Sequence, residues 1–234
     1  GRYELPKLLK ELAKFPFPWI RVMYLHPSHI KDELIEVMAQ EKRIVPYIEM
    51  PIQHAHPKIL RSMNRSYSPE MIIDLMEKFR KNIDGCFLRT TVMTGYPGET
   101  RREFEFLLQF LQENPFERLG VFVFSPEEGT KAYQFSDMVP EELATDRFDQ
   151  IMAQQQYISK QLLSRHLGKT VSILPEFLEN GYAVGRSVYD APDIDGLVFL
   201  DKAVKIGEIV EAVLEENNEY DYFASVVETG DDFD

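Results

Sequence analysis

Residues 88–100 read Leu88-Arg89-Thr90-Thr91-Val92-Met93-Thr94-Gly95-Tyr96-Pro97-Gly98-Glu99-Thr100. The β-branched run from Arg89 to Thr94 predicts a strand. The chain then turns through Gly95-Tyr96-Pro97-Gly98. Thr100 opens a helix, and Glu103 stands at the spacing of a capping box. Strand, tight turn and helix N-terminus together make a βα unit of a parallel sheet. In such sheets ligands sit at the C-terminal edge of the strands, where free backbone N–H groups favour anionic groups. Many βα turns look like this and bind nothing, so taken alone the stretch is a weak sign of a site.

The pattern repeats on both sides. Leu5, Leu8, Leu9 and Leu12 fall at helical spacing, and Phe15-Pro16-Phe17-Pro18 ends that helix. Trp19 to Leu25 predicts a strand, and Ser28 can cap a helix running to about Glu41. Val45 to Met50 is the next strand, followed by Pro51-Ile52-Gln53-His54-Ala55-His56-Pro57. His54 and His56 would face opposite sides of a continued strand, which argues against a joint metal site. Gln53 and His54 suit the mouth of a pocket; as an alternative, these loop residues bond their own backbone. Ser68-Pro69-Glu70 starts a helix to about Lys81. Helix 101–113, strand 119–124 and a long helix from Pro140 to Leu167 complete the region, with Gly168 as its C′ residue.

Four strand–helix units in series predict parallel strands with helical crossovers. Four units do not close an eight-stranded barrel, so the sheet is open or the barrel partial, and the first strand is an exposed edge. After Gly168 the pattern changes to five short strands: 170–178, 182–189, 196–200, 209–215 and 222–227. Asn180-Gly181, Ala191-Pro192-Asp193 and Lys205-Ile206-Gly207 punctuate them. A small antiparallel barrel of the OB-like kind follows. The expected fold is therefore α/β, a partial (βα) barrel over residues 1–167 and a small β-barrel over 168–234.

Charge divides the chain the same way. Of the net −13, residues 168–234 hold −12, from four Lys/Arg against 16 Asp/Glu. Such a surface repels phosphate backbones and attracts a basic partner, unless it serves solubility alone. The tail Asp231-Asp232-Phe233-Asp234 reads as frayed. No apolar run reaches the roughly 20 residues of a membrane span, which leaves a cytoplasmic protein as the expectation. The lone Cys86 permits no intrachain disulfide and no cysteine cage, and reads as a structural thiol.

Three motifs carry a resemblance. Tyr47-Ile48-Glu49-Met50-Pro51-Ile52-Gln53-His54, the 88–100 stretch, and Gly120-Val121-Phe122-Val123-Phe124-Ser125-Pro126-Glu127-Glu128-Gly129-Thr130 resemble the radical-SAM methylthiotransferases, in that order. The small barrel is similar to their C-terminal TRAM domain. Glu127-Glu128 stand where the tRNA-modifying branch usually has Arg-Pro. Gly185-Arg186-Ser187-Val188-Tyr189-Asp190-Ala191-Pro192-Asp193-Ile194-Asp195-Gly196 looks like the branch that methylthiolates an aspartate of a small-subunit ribosomal protein. Ribosomal proteins are basic, and the acidic barrel agrees with that branch independently of the motifs.

The resemblance implies S-adenosylmethionine and two [4Fe–4S] clusters as cofactors of the full-length protein. One cluster and S-adenosylmethionine supply a 5′-deoxyadenosyl radical, and the second cluster supplies sulfur. It implies Gln53, His54, Arg89, Thr91 and Gly95 at the barrel mouth, as cofactor-binding residues. Arg89 is the candidate to pair with a carboxylate, a ligand's or that of Glu49. Gly95 would let backbone approach the ligand closely. No catalytic residue is singled out. The family's C-x3-C-x2-C cysteines are missing, and Gly1-Arg2-Tyr3-Glu4-Leu5-Pro6 looks like sequence that follows its second barrel strand. The chain thus reads as a C-terminal fragment, inactive alone, ligating neither cluster. Two alternatives remain: a tRNA methylthiotransferase, disfavoured by the acidic barrel, and a non-catalytic module docking a basic protein. A phosphate-binding enzyme is remote, because no Lys-Ser/Thr follows the Gly95–Gly98 turn.

Overall fold

The computed structural model describes residues 3–228; the acidic tail 231–234 lies outside them. In chain order the regular elements are α1 (Leu5–Leu12), β1 (Ile20–Val22), α2 (Asp32–Gln40), β2 (Ile44–Glu49), α3 (Pro57–Ser62), α4 (Pro69–Asn82) and β3 (Phe87–Thr94). There follow α5 (Arg101–Glu113), β4 (Arg118–Val123), α6 (Glu141–Leu163), β5 (Thr170–Glu179), β6 (Tyr182–Ser187), β7 (Val198–Leu200), β8 (Val210–Asn217) and β9 (Tyr222–Val226). Contacts divide the chain into two compact units, Gly1–Gln155 and Gln156–Asp234, and the division falls within α6.

In the first unit β1 to β4 form a parallel sheet in sequence order. Alternation along each strand sorts its side chains. Val22, Ile48, Leu88, Val92 and Val121 face the helices and share one core with Leu9, Leu34, Phe79, Leu107 and Ile151. The opposite face carries Tyr47, Glu49, Phe87, Arg89, Thr91, Arg118 and Gly120, aligned by strand register. Predicted caps are in place: Ser68 accepts from the Met71 N–H, and Thr100 and Glu103 form the capping box.

Three local expectations are corrected. Ser28 does not cap α2. Pro27–His29 closes a single 3-10 turn, Ile30 is extended, and the helix begins at Asp32. The first strand stops at Val22 rather than Leu25, because Tyr24 takes a left-handed conformation, φ 59°. The last helix ends at Leu163 and tightens into a 3-10 turn, Ser164–His166, before Gly168 at φ 79°.

The second unit holds the closed barrel, in the order β5-β6-β7-β9-β8. Four of its neighbour pairs are antiparallel, but β7 and β9 run parallel, with Phe199 opposite Phe223. The barrel is therefore not wholly antiparallel. β8 pairs with β5, and β9 turns back along β8, which brings it beside β7 in the same direction as β7.

Candidate functional site at the C-terminal edge of the sheet

Register sets Arg89 on β3 beside Glu49 on β2 and beside Arg118 on β4. Arg89 Nη1 donates to Glu49 Oε1 at 2.8 Å, and both side chains are buried. Thr91, two residues on and on the same face, has its Oγ1 3.4 Å from Arg89 Nη1. Glu49 Oε2 accepts the Tyr24 N–H at 3.1 Å, and the Glu49 carbonyl accepts the Leu25 N–H at 3.0 Å. The carboxylate therefore holds both the guanidinium and the bend after β1. That bend presents Tyr24 with 76% of its surface exposed. Opposite Thr91 stands Gly120, where an added Cβ would lie 3.4 Å from Arg89 Nη2.

The loop after β2 is fastened to β3. Gln53 N donates to the Thr91 carbonyl, and Met93 N to the Gln53 carbonyl, both at 2.8 Å. Gln53 achieves this at φ 62°, a left-handed backbone that a non-glycine residue holds only where its surroundings impose it. Tyr67 Oη donates to the Ile52 carbonyl at 2.9 Å, and burial pushes its phenol up to about 12, so it stays a donor.

His54 does not line the mouth. It is 0% exposed, and its Nδ1 accepts the His56 N–H at 2.8 Å. His56 Nδ1 in turn accepts the Lys58 N–H and caps α3. Both histidines thus bond their own loop backbone, which removes a donor nitrogen from each. The N–H of His54 is then Nε2, which faces Glu99 Oε2 at 3.5 Å. Glu99 is buried and accepts from Arg147 Nη1 at its Oε1, 2.6 Å, and at its carbonyl, 2.9 Å.

Gly95 is tight for a different reason from the expected one. At φ 75°, an added Cβ would meet the Ala144 Cβ at 2.4 Å. The first turns of α6 pack against Gly95 on that side, and Thr94 Oγ1 donates to the Ala144 carbonyl at 3.0 Å. The N-terminus of α5 is also engaged. Thr100 N donates to Glu103 Oε2 at 2.9 Å, and Lys58 Nζ lies 3.3 Å from Glu103 Oε1. Burial pushes the Glu103 carboxyl up, but the Thr100 and Lys58 hydrogen bonds outweigh it and bring it down to about 2. A cleft of ≈ 810 Å³ between α5 and the start of α6 is lined by none of the five expected residues.

The structure thus brings together Gln53, Arg89 and Thr91, and turns His54 and Gly95 inward. Sequence reading missed Tyr24, Gly120 and Arg147 as participants. Gly120 lay in a quoted motif, opposite Thr91; the other two carried no signal short of three dimensions. Among the described residues no group of three or more His, Cys, Asp or Glu is placed to hold a metal ion. Cys86 sits just before the N-terminal end of β3, and burial pushes its thiol up.

Residues 1–111 match the family model for the radical SAM superfamily, and residues 167–227 match the TRAM domain. A protein of Trichormus variabilis named ribosomal protein uS12 methylthiotransferase RimO is 40% identical over 229 residues, 97% of this chain and 52% of its own length. The chain is similar along nearly its whole length to part of these methylthiotransferases. Methylthiotransferases of the same name from Prochlorococcus marinus (strain MIT 9301) and Thermotoga petrophila are 41% and 40% identical, over 97% and 95% of this chain. The chain spans about half the length, 52%, of each of these methylthiotransferases. Coproporphyrinogen III oxidase HemN from Escherichia coli shares the fold, with a TM-score of 0.53 and 22% identity. That likeness covers 66% of this chain and 36% of HemN. The radical SAM model matched by residues 1–111 is that of a superfamily whose proteins use S-adenosylmethionine and a [4Fe–4S] cluster.

Proposed function

We propose that the whole protein transfers a methylthio group to an aspartate side chain of a basic small-subunit ribosomal protein, in the cytoplasm. The observation that carries this is the 40% identity over 97% of the chain to a protein named as a uS12 methylthiotransferase. Among the described residues no helix is long and apolar enough to cross a membrane.

The donor set at the sheet edge suits S-adenosylmethionine, whose methionine end is a zwitterion. Arg89 and Glu49 offer both charges side by side, Thr91 adds a hydroxyl, and Gln53 sits on a constrained backbone. When bound, the cofactors supply the radical, the sulfur and the methyl group. This chain's part is to orient. Glu49 keeps the Arg89 guanidinium from rotating, and the Gln53–Thr91 and Gln53–Met93 hydrogen bonds hold the loop at a fixed height above the strand ends.

A [4Fe–4S] cluster does not fit the residues present, because the single thiol is partly buried, lies toward the other end of β3 and has no second cysteine beside it. We assign the ligands of both clusters to residues outside this chain. The test uses the full reading frame, expressed anaerobically. Close to eight irons per chain, and a ribosomal substrate that gains the mass of one methylthio group in the presence of S-adenosylmethionine, support the proposal. An iron-free protein, or one that modifies tRNA instead, overturns it. The acidic barrel fits the substrate's basic character, and we propose it as the docking element.

A further inference from the structure

The outer face of the barrel carries a row of apolar side chains where alternation calls for polar ones. Register aligns Phe177 on β5 with Val184 on β6, which lies fully buried beneath the row, then Phe199 on β7 and Phe223 on β9, and finally Glu216 on β8. Phe199 and Phe223 stack with centroids 5.4 Å apart and rings inclined by 21°. Phe177, Tyr182 and Phe223 are 44, 53 and 42% exposed. A groove of ≈ 540 Å³ runs beside the row, lined by Tyr182, Phe199 and Phe223 and rimmed by Glu179, Asp201 and Glu215. Among the described residues no Lys or Arg lines it.

We propose that this groove binds an arginine- or lysine-bearing segment of a basic protein. The proposal rests on the reading above and names where that substrate docks. Closure of the barrel removes any free strand edge, so a peptide cannot add as a further strand and must be held through its side chains. Aromatic faces beside carboxylates match a guanidinium on two counts: stacking and cation–π attraction on the ring, and charge-assisted hydrogen bonds at the rim. Single-stranded nucleic acid also stacks on aromatic rows, but it carries phosphates, and three rim carboxylates repel them.

The test needs no cluster and no turnover. Fluorescence anisotropy with this chain measures binding of a short labelled arginine-rich peptide, its citrulline counterpart and an oligouridylate. The arginine peptide binds; the citrulline peptide and the Phe223→Ser and Tyr182→Ser variants weaken binding by about tenfold or more. Glu179→Gln with Glu215→Gln, both exposed and apart from the apolar row, weakens it severalfold and covers the case in which the serine variants fail to fold. Failure of the arginine peptide to bind, equal affinity for the citrulline peptide, indifference to both sets of variants, or preference for the oligouridylate overturns the proposal. Binding that persists in a protein without methylthiotransfer overturns the enzymatic reading and leaves the groove standing. Conversely, turnover without peptide binding overturns the groove and leaves the enzymatic reading standing.

Discussion

The two units of this chain handle charge in opposite ways. In the sheet unit, charges are buried in pairs: Arg89 with Glu49, and Arg147 with Glu99 against His54. Residues 1–167 are nearly neutral, and residues 168–234 carry −12. In the barrel the excess acid stands at the surface, and aromatic rings are exposed beside it. Buried pairs fix the positions of a few groups, and a surface excess sets which partners approach. The first arrangement suits a site that must hold geometry, and the second suits one that must find a large basic partner.

The largest effect belongs to the buried network. Arg147→Ala leaves Glu99 buried without its cation, at a cost of about 3–5 kcal/mol. Adding Glu99→Gln removes the charge and recovers more than half. Urea unfolding of the sheet unit, followed by amide exchange of β3, checks both. A loss below about 1 kcal/mol for Arg147→Ala contradicts the idea that the pair holds this edge.

Gly95→Ala comes next. The new Cβ meets Ala144 at 2.4 Å and sits on a left-handed backbone, which together cost about 2–4 kcal/mol. Ala144→Gly relieves the contact but not the backbone, so the double variant recovers only part of the loss. Full recovery, measured by the same unfolding curves, means the backbone carries no strain.

These two cases mark where the sequence stops being readable. Caps were legible, because Ser68-Pro69 and Thr100–Glu103 interact within one turn. The parallel direction of the first four strands followed from the alternation of elements. The partners of buried polar groups did not follow: Glu99 and Arg147 are 48 residues apart, and no spacing rule pairs them. His54 looked like a site residue because polar loop residues usually stay wet, yet its Nδ1 was claimed by the loop's own backbone. Tyr24 has no local reason to turn left-handed, and only the Glu49 carboxylate reveals why it does. The parallel β7–β9 pair depends on which strands a barrel brings together on closing, and short-strand patterns do not contain that.

Acid separates the units. Burial holds His166 in the barrel unit down at about 4, below its ordinary 6.5. Between those values the unfolded chain takes up a proton that the folded chain refuses. The stabilisation is therefore complete above pH 6.5 and is lost as pH falls toward 4, by about 2 kcal/mol after solvent screening. Glu103, in the sheet unit, has the opposite charge type and a lower window: its contribution is present above about 4.5 and is lost toward 2. From pH 6.5 to 4.5 the barrel should weaken while the sheet unit's contribution from Glu103 stays constant. His166→Gln flattens the barrel's profile; an unchanged profile removes His166 as the cause.

Salt gives the smallest and most selective contrast. Raising ionic strength from about 0.1 M to about 1 M shortens the Debye length from about 10 Å to about 3 Å. Buried pairs such as Arg89–Glu49 are poorly screened, so the sheet unit should change little. Like charges on the barrel repel across solvent, and screening relieves that repulsion. Amide exchange at β6 and β9 should therefore slow by a few fold in high salt, a gain below about 1 kcal/mol, while exchange at β3 holds steady. The sign matters more than the size, since sodium sulfate also strengthens apolar burial in both units and sodium chloride far less so. If β3 slows as much as β9 in sodium chloride, the effect is general burial rather than relief of repulsion. The acidic surface would then cost the barrel nothing in stability, and its excess charge would weigh on partner choice alone.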